Sequence, residues 1–314
     1  MGLIMNFAFV SADATRAAAD LLVIPLFDSE LSNKKAPHKT LAAADKKTKG
    51  ALLKLSESEG FKAKSEQTFL FQSHGKVSAT RLLLLGLGDT KSFTAETLRQ
   101  AAGRAVKTAQ RLKAKQLSFV LPPHGELDAM IKATVEGLEL GEYRYDRWKT
   151  RKADAAPKLG KVTFFLPDGV KKQKSHEHAA TLGTLVGEAT NWARDLVNEP
   201  AGTMTPTVLA DAAKAMAKEV GLNISVGEKK KIEELKMGMF LGVARGSVEP
   251  PKLVQLSYIP KDPAHAKRQP ICIVGKAITF DSGGLSLKPS DGMLDMKTDM
   301  AGSAAMLGAM KVMA

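Results

Sequence analysis

Residues 271–305 read ICIVGKAITFDSGGLSLKPSDGMLDMKTDMAGSAA. The apolar run at 271–274 has the composition of a buried strand, and Gly275 ends it. Lys276, Asp281, Lys288 and Asp299 follow, with Asp291 and Asp295 between them. Gly283-Gly284 and Pro289 mark turns. From Ala301 the residues are small and apolar, which predicts a tightly packed helix. Two lysines and several carboxylates are thus threaded through loops beside a predicted buried strand, where α/β proteins place their chemistry.

Carboxylates converging on a loop suit hard or borderline divalent cations. A lysine joins such a site as a neutral amine only if desolvation and a nearby dication push its pKa down. A second lysine that stays charged can polarise a carbonyl or stabilise an oxyanion. Two metals about 3.5–4 Å apart activate water and hold a substrate together. Ordinary solvated loop charges use the same residue types, so composition alone leaves both alternatives open.

Two other motifs are excluded here. Gly275-Lys276 is not a phosphate loop, because the upstream glycine and the following Ser/Thr are missing. Asp281-Ser282-Gly283-Gly284 has the look of a serine-protease nucleophile segment, but Phe280 and Leu285 flank it instead of glycine and proline. Such a protease also needs an upstream histidine and aspartate on a β-barrel. Ser282 is therefore a turn residue.

The block from Val274 to Ala305 resembles the first signature block of the leucyl aminopeptidases, the M17 cytosol aminopeptidase family. The spacing matches throughout: Lys276, an aspartate 5 residues later, a lysine 12 later and an aspartate 23 later. The resemblance implies that Lys276 ligates a metal through its amine, that Asp281 bridges two metals, and that Asp299 ligates the metal held by Lys276. It implies that Lys288 is catalytic, polarising the scissile carbonyl and so contacting substrate. Met296 matches a residue lining the pocket for the substrate's first side chain. The implied cofactors are two divalent cations, manganese or zinc, with magnesium also compatible. Peptides are the implied substrates and a homo-hexamer the implied assembly. Ala277 stands where glycine is usual. The family's second ligand block, of the type N-T-D-A-E-G-R, is absent from the 314 residues. The expectation is therefore an incomplete site, weak metal binding, no activity from these residues alone, and an exposed sheet edge that lowers solubility.

Composition bounds the alternatives. A chain of 314 residues is long enough for two domains. Net charge is +13, which admits a DNA-binding or architectural role. Some bacterial members of the resembled family bind DNA, but no interleaving of aromatic and basic residues supports this here. Cys272 is the only cysteine, so no intramolecular disulfide forms, and its place in the apolar run predicts an inert core thiol. No apolar run is long enough to span a membrane, and the apolar start lacks a signal peptide's basic residues and cleavage site. The cytoplasm is the default location.

Along the chain, strands are predicted at 6–10, 20–26, 68–72, 81–87, 117–121 and 162–166. A polar loop is expected from 31, leading into a helix over 46–58. Helices are also expected at 94–114, with Thr94 as N-cap, and at 129–143. Gly86-x-Gly88 is read as turn geometry, not a nucleotide loop. A charged surface loop is expected at 145–158. The alternation predicts an α/β domain over 1–168, and the resemblance implies a macro-like module there. Residues 169–199 are expected to form a linker and one long helix stopped by Pro200. Residues 200–314 are expected to be the first part of an incomplete α/β, phosphorylase/hydrolase-like catalytic domain. Within it, a helix is predicted at 206–220, strands at 223–226 and 253–258, and a short charged helix at 229–235. His176 and His178 fall in a basic run and are expected to be solvated.

Overall fold

The computed structural model describes residues 5–32, 38–150, 157–260, 262 and 268–314. The chain divides into two compact units, Met1–Gly187 and Glu188–Ala314.

The first unit is a three-layer α/β structure. Its elements in order are β1 (Asn6–Val10), β2 (Leu21–Phe27), α1 (Asp28–Ser32), α2 (Lys39–Lys47), α3 (Ala51–Ser58), β3 (Thr68–Gln72) and β4 (Arg81–Gly88), followed by α4 (Ala95–Arg111), β5 (Gln116–Val120), α5 (Leu127–Glu142) and β6 (Lys161–Phe165). The six strands among the described residues lie in the order β1-β6-β5-β2-β4-β3. All neighbours are parallel except the edge pair β3–β4.

Burial follows from that position. All seven residues of β2 are buried, as expected of a strand covered on both faces. In β4, Leu83, Leu85 and Leu87 enter one core with Leu98, Ala102 and Leu138, and Leu82 and Leu84 enter the other with Leu41 and Leu52. The antiparallel edge strand β3 alternates instead, burying Phe69 and Phe71 and exposing Leu70. Pro25 cannot donate to a ladder; it lies past Val23, where the pairing of β2 with β5 ends. Thr94 caps α4 in a reciprocal box with Thr97. At Gly86 a Cβ would lie 1.9 Å from the Lys64 carbonyl oxygen, so the loop over 63–67 can cross β4 only above a glycine.

Three expectations for this unit are corrected. The helix predicted over 46–58 is two helices, because Lys49 (φ 55) and Gly50 (φ 81) turn the chain left-handed between α2 and α3. Part of the polar stretch from 31 is helical, in α1 and α2; residues 33–37, and 151–156 of the predicted surface loop, lie outside the described residues. His176 is buried, not solvated. It packs 5.8 Å from the Phe9 ring, and its Nδ1 accepts a hydrogen bond from the Gln173 amide (3.2 Å) at the start of α6 (Lys174–Asn198). The local charge run conceals a tertiary burial. Residue 187, where the first unit ends, falls inside α6.

The second unit continues from α6 into α7 (Pro206–Val220), β7 (Asn223–Gly227), α8 (Lys229–Glu234), α9 (Gly238–Ala244), β8 (Leu253–Ser257), α10 (Ser290–Met293) and α11 (Ala301–Met313). Thr205 caps α7 through the Val208 amide, Pro206 opens it, and Gly221 (φ 77) closes it. The core gathers Leu196, Leu209, Met216, Met300, Ala304 and Leu307. β7 and β8 form an antiparallel pair.

The strand expected at 271–274 does not form. Ile271 and Val274 are exposed, and Cys272 is an exposed free thiol instead of a core one. A strand is stabilised by neighbours that take its amides and carbonyls, and the two strands among the described residues of this unit pair with each other. No helix among the described residues is long and apolar enough to cross a membrane.

Candidate metal centre

Four predicted site residues are brought together by two loops and one helix end. Asp299 lies in a 3-10 turn, Met296–Met300, that runs into α11. Met300 is fully buried and anchors that turn. A carboxylate just ahead of a helix N-terminus is electrostatically favoured. Lys276 is delivered by close backbone packing. A Cβ on Gly275 would come within 2.7 Å of Ser303 Cα, and one on Gly302 within 3.2 Å of the Lys276 amide. The Ser303 amide donates to the Lys276 carbonyl at 2.8 Å. This contact puts the Lys276 Nζ 2.8 Å from Asp299 Oδ1.

Asp281 and Lys288 meet across a closed turn. The Gly283 amide donates to Asp281 Oδ1 at 2.8 Å, and the Lys288 amide donates to the Ser282 carbonyl at 3.0 Å. Gly283 has φ 91, and a Cβ there would sit 2.4 Å from the Ser286 carbonyl oxygen, so the turn requires glycine. Lys288 Nζ lies 3.2 Å from Asp281 Oδ2.

The two pairs feel each other. The hydrogen bond that the Lys276 ammonium donates to Asp299 holds it above its usual pKa, helped by the charges of Asp299 and Asp281. The Gly283 amide, then the hydrogen bond and charge of Lys288, and the charge of Lys276 hold the Asp281 carboxyl below its usual range. The cluster alternates carboxylate and ammonium, so each charge is met by its opposite. Asp299 Oδ2 is buried and has no hydrogen-bond partner, which leaves one strong acceptor free for a cation. Met296 is half-buried at the start of the 3-10 turn. Asp291 and Asp295 are exposed and form no ion pair among the described residues. Also among the described residues, no three Asp, Glu, His or Cys side chains converge as a metal set. The donors at this place are two carboxylates and an amine.

Lys297 went unremarked in the sequence and has a structural part to play. Its Nζ donates to the Asn198 carbonyl at 3.0 Å, tying the 3-10 turn to the C-terminal end of α6, where a cation is favoured. Gly275 and Gly302 matter for the same loop, and the only signal for them was small residues flanking the lysine and the helix start.

The sequence profile of the "Cytosol aminopeptidase family, catalytic domain" matches residues 191–314, and that of the family's N-terminal domain matches residues 23–152. The chain belongs to the cytosol aminopeptidase family. A "Probable cytosol aminopeptidase" of Acidobacterium capsulatum is 36% identical over 319 residues, taking in 99% of this chain and 62% of that protein. A mutant of tomato leucine aminopeptidase superposes with a TM-score of 0.83 at 25% identity, covering 99% of this chain and 60% of the other. The "Bottromycin maturation enzyme BotP in complex with Mn" superposes with a TM-score of 0.72 at 32% identity, covering 95% of this chain and 56% of that one. The chain thus spans about three-fifths of the length of the cytosol aminopeptidases it matches.

Proposed function

We propose that these residues supply one half of the active site of a two-metal leucyl aminopeptidase, which releases N-terminal amino acids from peptides. The observation that carries this is the cluster itself: Lys276 at 2.8 Å from Asp299, with Asp281 close enough to bias the same ammonium. The buried, partnerless Asp299 Oδ2 supports the fit to a cation, as does the manganese complex of the BotP neighbour.

When bound, divalent ions would supply a Lewis acid for the scissile carbonyl and its attacking water. Lys276 would have to give up a proton to act as a neutral donor, which Asp299 and Asp281 now oppose. Its ammonium therefore stands in for a cation between the two carboxylates. Asp281 would bridge two ions, and Asp299 would serve the one shared with Lys276. Lys288 would turn its ammonium from Asp281 to the scissile carbonyl as negative charge develops there. Met296 would contact the substrate's first side chain. Manganese or zinc both suit this donor set.

Two carboxylates and one amine cannot neutralise two dications, so residues 1–314 alone bind metal weakly and do not turn over peptide. The complete enzyme would be cytoplasmic and hexameric, which sedimentation of a full-length form would check. Calorimetric titration with Mn2+ tests the site: a single site with Kd above about 0.1 mM is expected, lost in Asp299→Asn. Two tight sites would overturn the half-site proposal. Unchanged binding in Asp299→Asn and Lys276→Met would overturn the ligand assignment. Extending the chain with the portion of the Acidobacterium capsulatum relative that follows the matched region should restore Mn2+-dependent hydrolysis of leucine p-nitroanilide, and Lys288→Ala should abolish it again.

A further inference from the structure

The sheet of the first unit ends on β3, whose far side meets no other described strand. The Gly86 amide donates to the Gln67 carbonyl at 2.8 Å, and the Ser73 amide donates to the Thr80 carbonyl at 3.1 Å, just beyond the two ends of the β3–β4 pair. Ladder bonds alternate residue by residue along an antiparallel strand, so Phe69 and Phe71 also turn their backbone groups to β4. Thr68, Leu70 and Gln72 turn theirs outward, and all three residues are exposed. The strand itself holds no charged residue, proline or bulge that would guard this edge.

A buried cation hangs beside the same edge. Leu70 pairs with Leu83, which packs into one core with α4, so Thr68, Leu70 and Gln72 lie on the α4 side of the sheet. On α4, Arg99 and Gly103 face α5 through Glu136 and Gly137. Arg104 leaves the helix on the opposite flank, about 100–140° further round. The carboxylate whose charge acts on it is Glu66, two residues ahead of β3. Even so, Arg104 Nε and Nη2 are buried with no hydrogen-bond partner among the described residues. Burial holds the guanidinium below its ordinary pKa, with the charge of Glu66 acting the other way. Orphaned donors of this kind are costly until an acceptor arrives, and a carboxylate matches a guanidinium best. The flanks are basic as well: Lys62 and Lys64 precede the strand, Lys76 follows it and Lys107 lies one turn beyond Arg104, all exposed. On the other face of the sheet, a shallow cleft of about 190 Å³ lies between Phe61 and Phe69.

We propose that the open edge of β3 docks an extended acidic segment of another polypeptide, which pairs with Thr68, Leu70 and Gln72 and sets a carboxylate against Arg104. An added strand alternates its side chains between the two faces, so acidic residues meet Arg104 and the residues between them meet the cleft. A second copy fits this edge less well. Pairing two-fold about Leu70 would set Lys64 of each chain opposite Lys76 of the other, and β3 itself brings no carboxylate. The proposal does not depend on the metal assignment.

The probe is a hexapeptide of alternating glutamate and valine, amidated at its C-terminus and capped with fluorescein at its N-terminus, so that it offers no free amino end to a peptidase site. Fluorescence anisotropy with the 314-residue chain should give a Kd of about 10–100 µM. Amide exchange at Thr68, Leu70 and Gln72 should slow by about tenfold at saturation. Arg104→Met keeps the aliphatic stem without the guanidinium and should weaken binding by about tenfold or more. Leu70→Pro removes an amide that β4 does not use, a place where an edge strand accepts proline. It should abolish binding while circular dichroism still shows a folded chain. Should it unfold the chain instead, Arg104→Met and the exchange pattern decide. A valine–lysine peptide with the same caps should not bind. No binding of the glutamate peptide at about 1 mM overturns the proposal, as does equal binding of the lysine peptide. Binding that survives Arg104→Met, or that leaves exchange at Thr68, Leu70 and Gln72 unchanged, is general attraction to a basic chain and overturns it too. So does self-association of the chain alone that Leu70→Pro removes, measured by sedimentation, because it gives the edge to a second copy.

Discussion

Substituting alanine for two glycines in the same helix pair should move stability in opposite directions. The α4 and α5 helices pack closely where Gly103 and Gly137 lie. A Cβ on Gly137 would sit 2.1 Å from the Arg99 carbonyl oxygen and 2.9 Å from the Ala102 Cβ. Both are parts of a buried helix and cannot swing away, so the helices must separate by about 1 Å, enough to forfeit a quarter to a half of each contact's attraction. Overpacking of this kind costs about 3 kcal/mol, and the better helix propensity of alanine returns about 1 kcal/mol. Gly137→Ala should therefore destabilise the first unit by about 2 kcal/mol, lowering Tm by about 4–8 °C. A Cβ on Gly103 meets only the Gly137 carbonyl oxygen, at 3.6 Å, an ordinary contact. Gly103→Ala should keep the propensity gain and raise stability by up to about 1 kcal/mol. Urea unfolding followed by circular dichroism measures both. Equal effects of the two substitutions, or a stabilised Gly137→Ala, would refute the close-packing account.

Burial holds the His38 imidazole below its ordinary pKa, with the charges of Glu30 and Asp168 acting the other way, and its Nδ1 accepts from the Leu41 amide to cap α2. The unfolded chain then binds the extra proton first, so this contribution is complete above about pH 6.5 and is lost as pH falls, by at most about 1.4 kcal/mol per pH unit. His38→Asn, which can still cap, should flatten the fall in urea midpoint between about pH 7 and 5; parallel profiles would contradict this. Thr205→Ala should cost the second unit about 1 kcal/mol by removing the cap on Val208, measurable as faster amide exchange in the first turn of α7, and Thr205→Ser should restore it. Lys297→Met should free the 3-10 turn from Asn198 and weaken Mn2+ binding in calorimetry while the thermal transition of the first unit stays in place.

Much of the architecture was legible because local patterns and tertiary burial agree. The seven-residue run of β2 and the leucines of β4 are apolar on both faces, and a parallel strand covered on both faces needs that composition. Thr94 and Thr205 announce helix starts by side-chain chemistry that acts within four residues. The spacing of Lys276, Asp281, Lys288 and Asp299 pointed to one site before any coordinates, because a long motif carries its own register.

Other features depended on partners distant in sequence. His176 looked solvated among lysines, and only packing against Phe9, far away in the chain, buries it. The strand propensity of residues 271–274 is a local property, but a strand exists only when neighbours take up its amides, and no described neighbour does. The pairing of Lys276 with Asp299 needed Gly275 and Gly302 to let two backbones touch. By itself, the sequence determined the fold class and the identity of the charged residues, since those follow from composition and patterning, and it pointed to the family through the resemblance of residues 274–305 to a known signature block. Tertiary structure decided which charges neutralise each other and which apolar run stays uncovered, because both depend on distances between segments that no local pattern encodes.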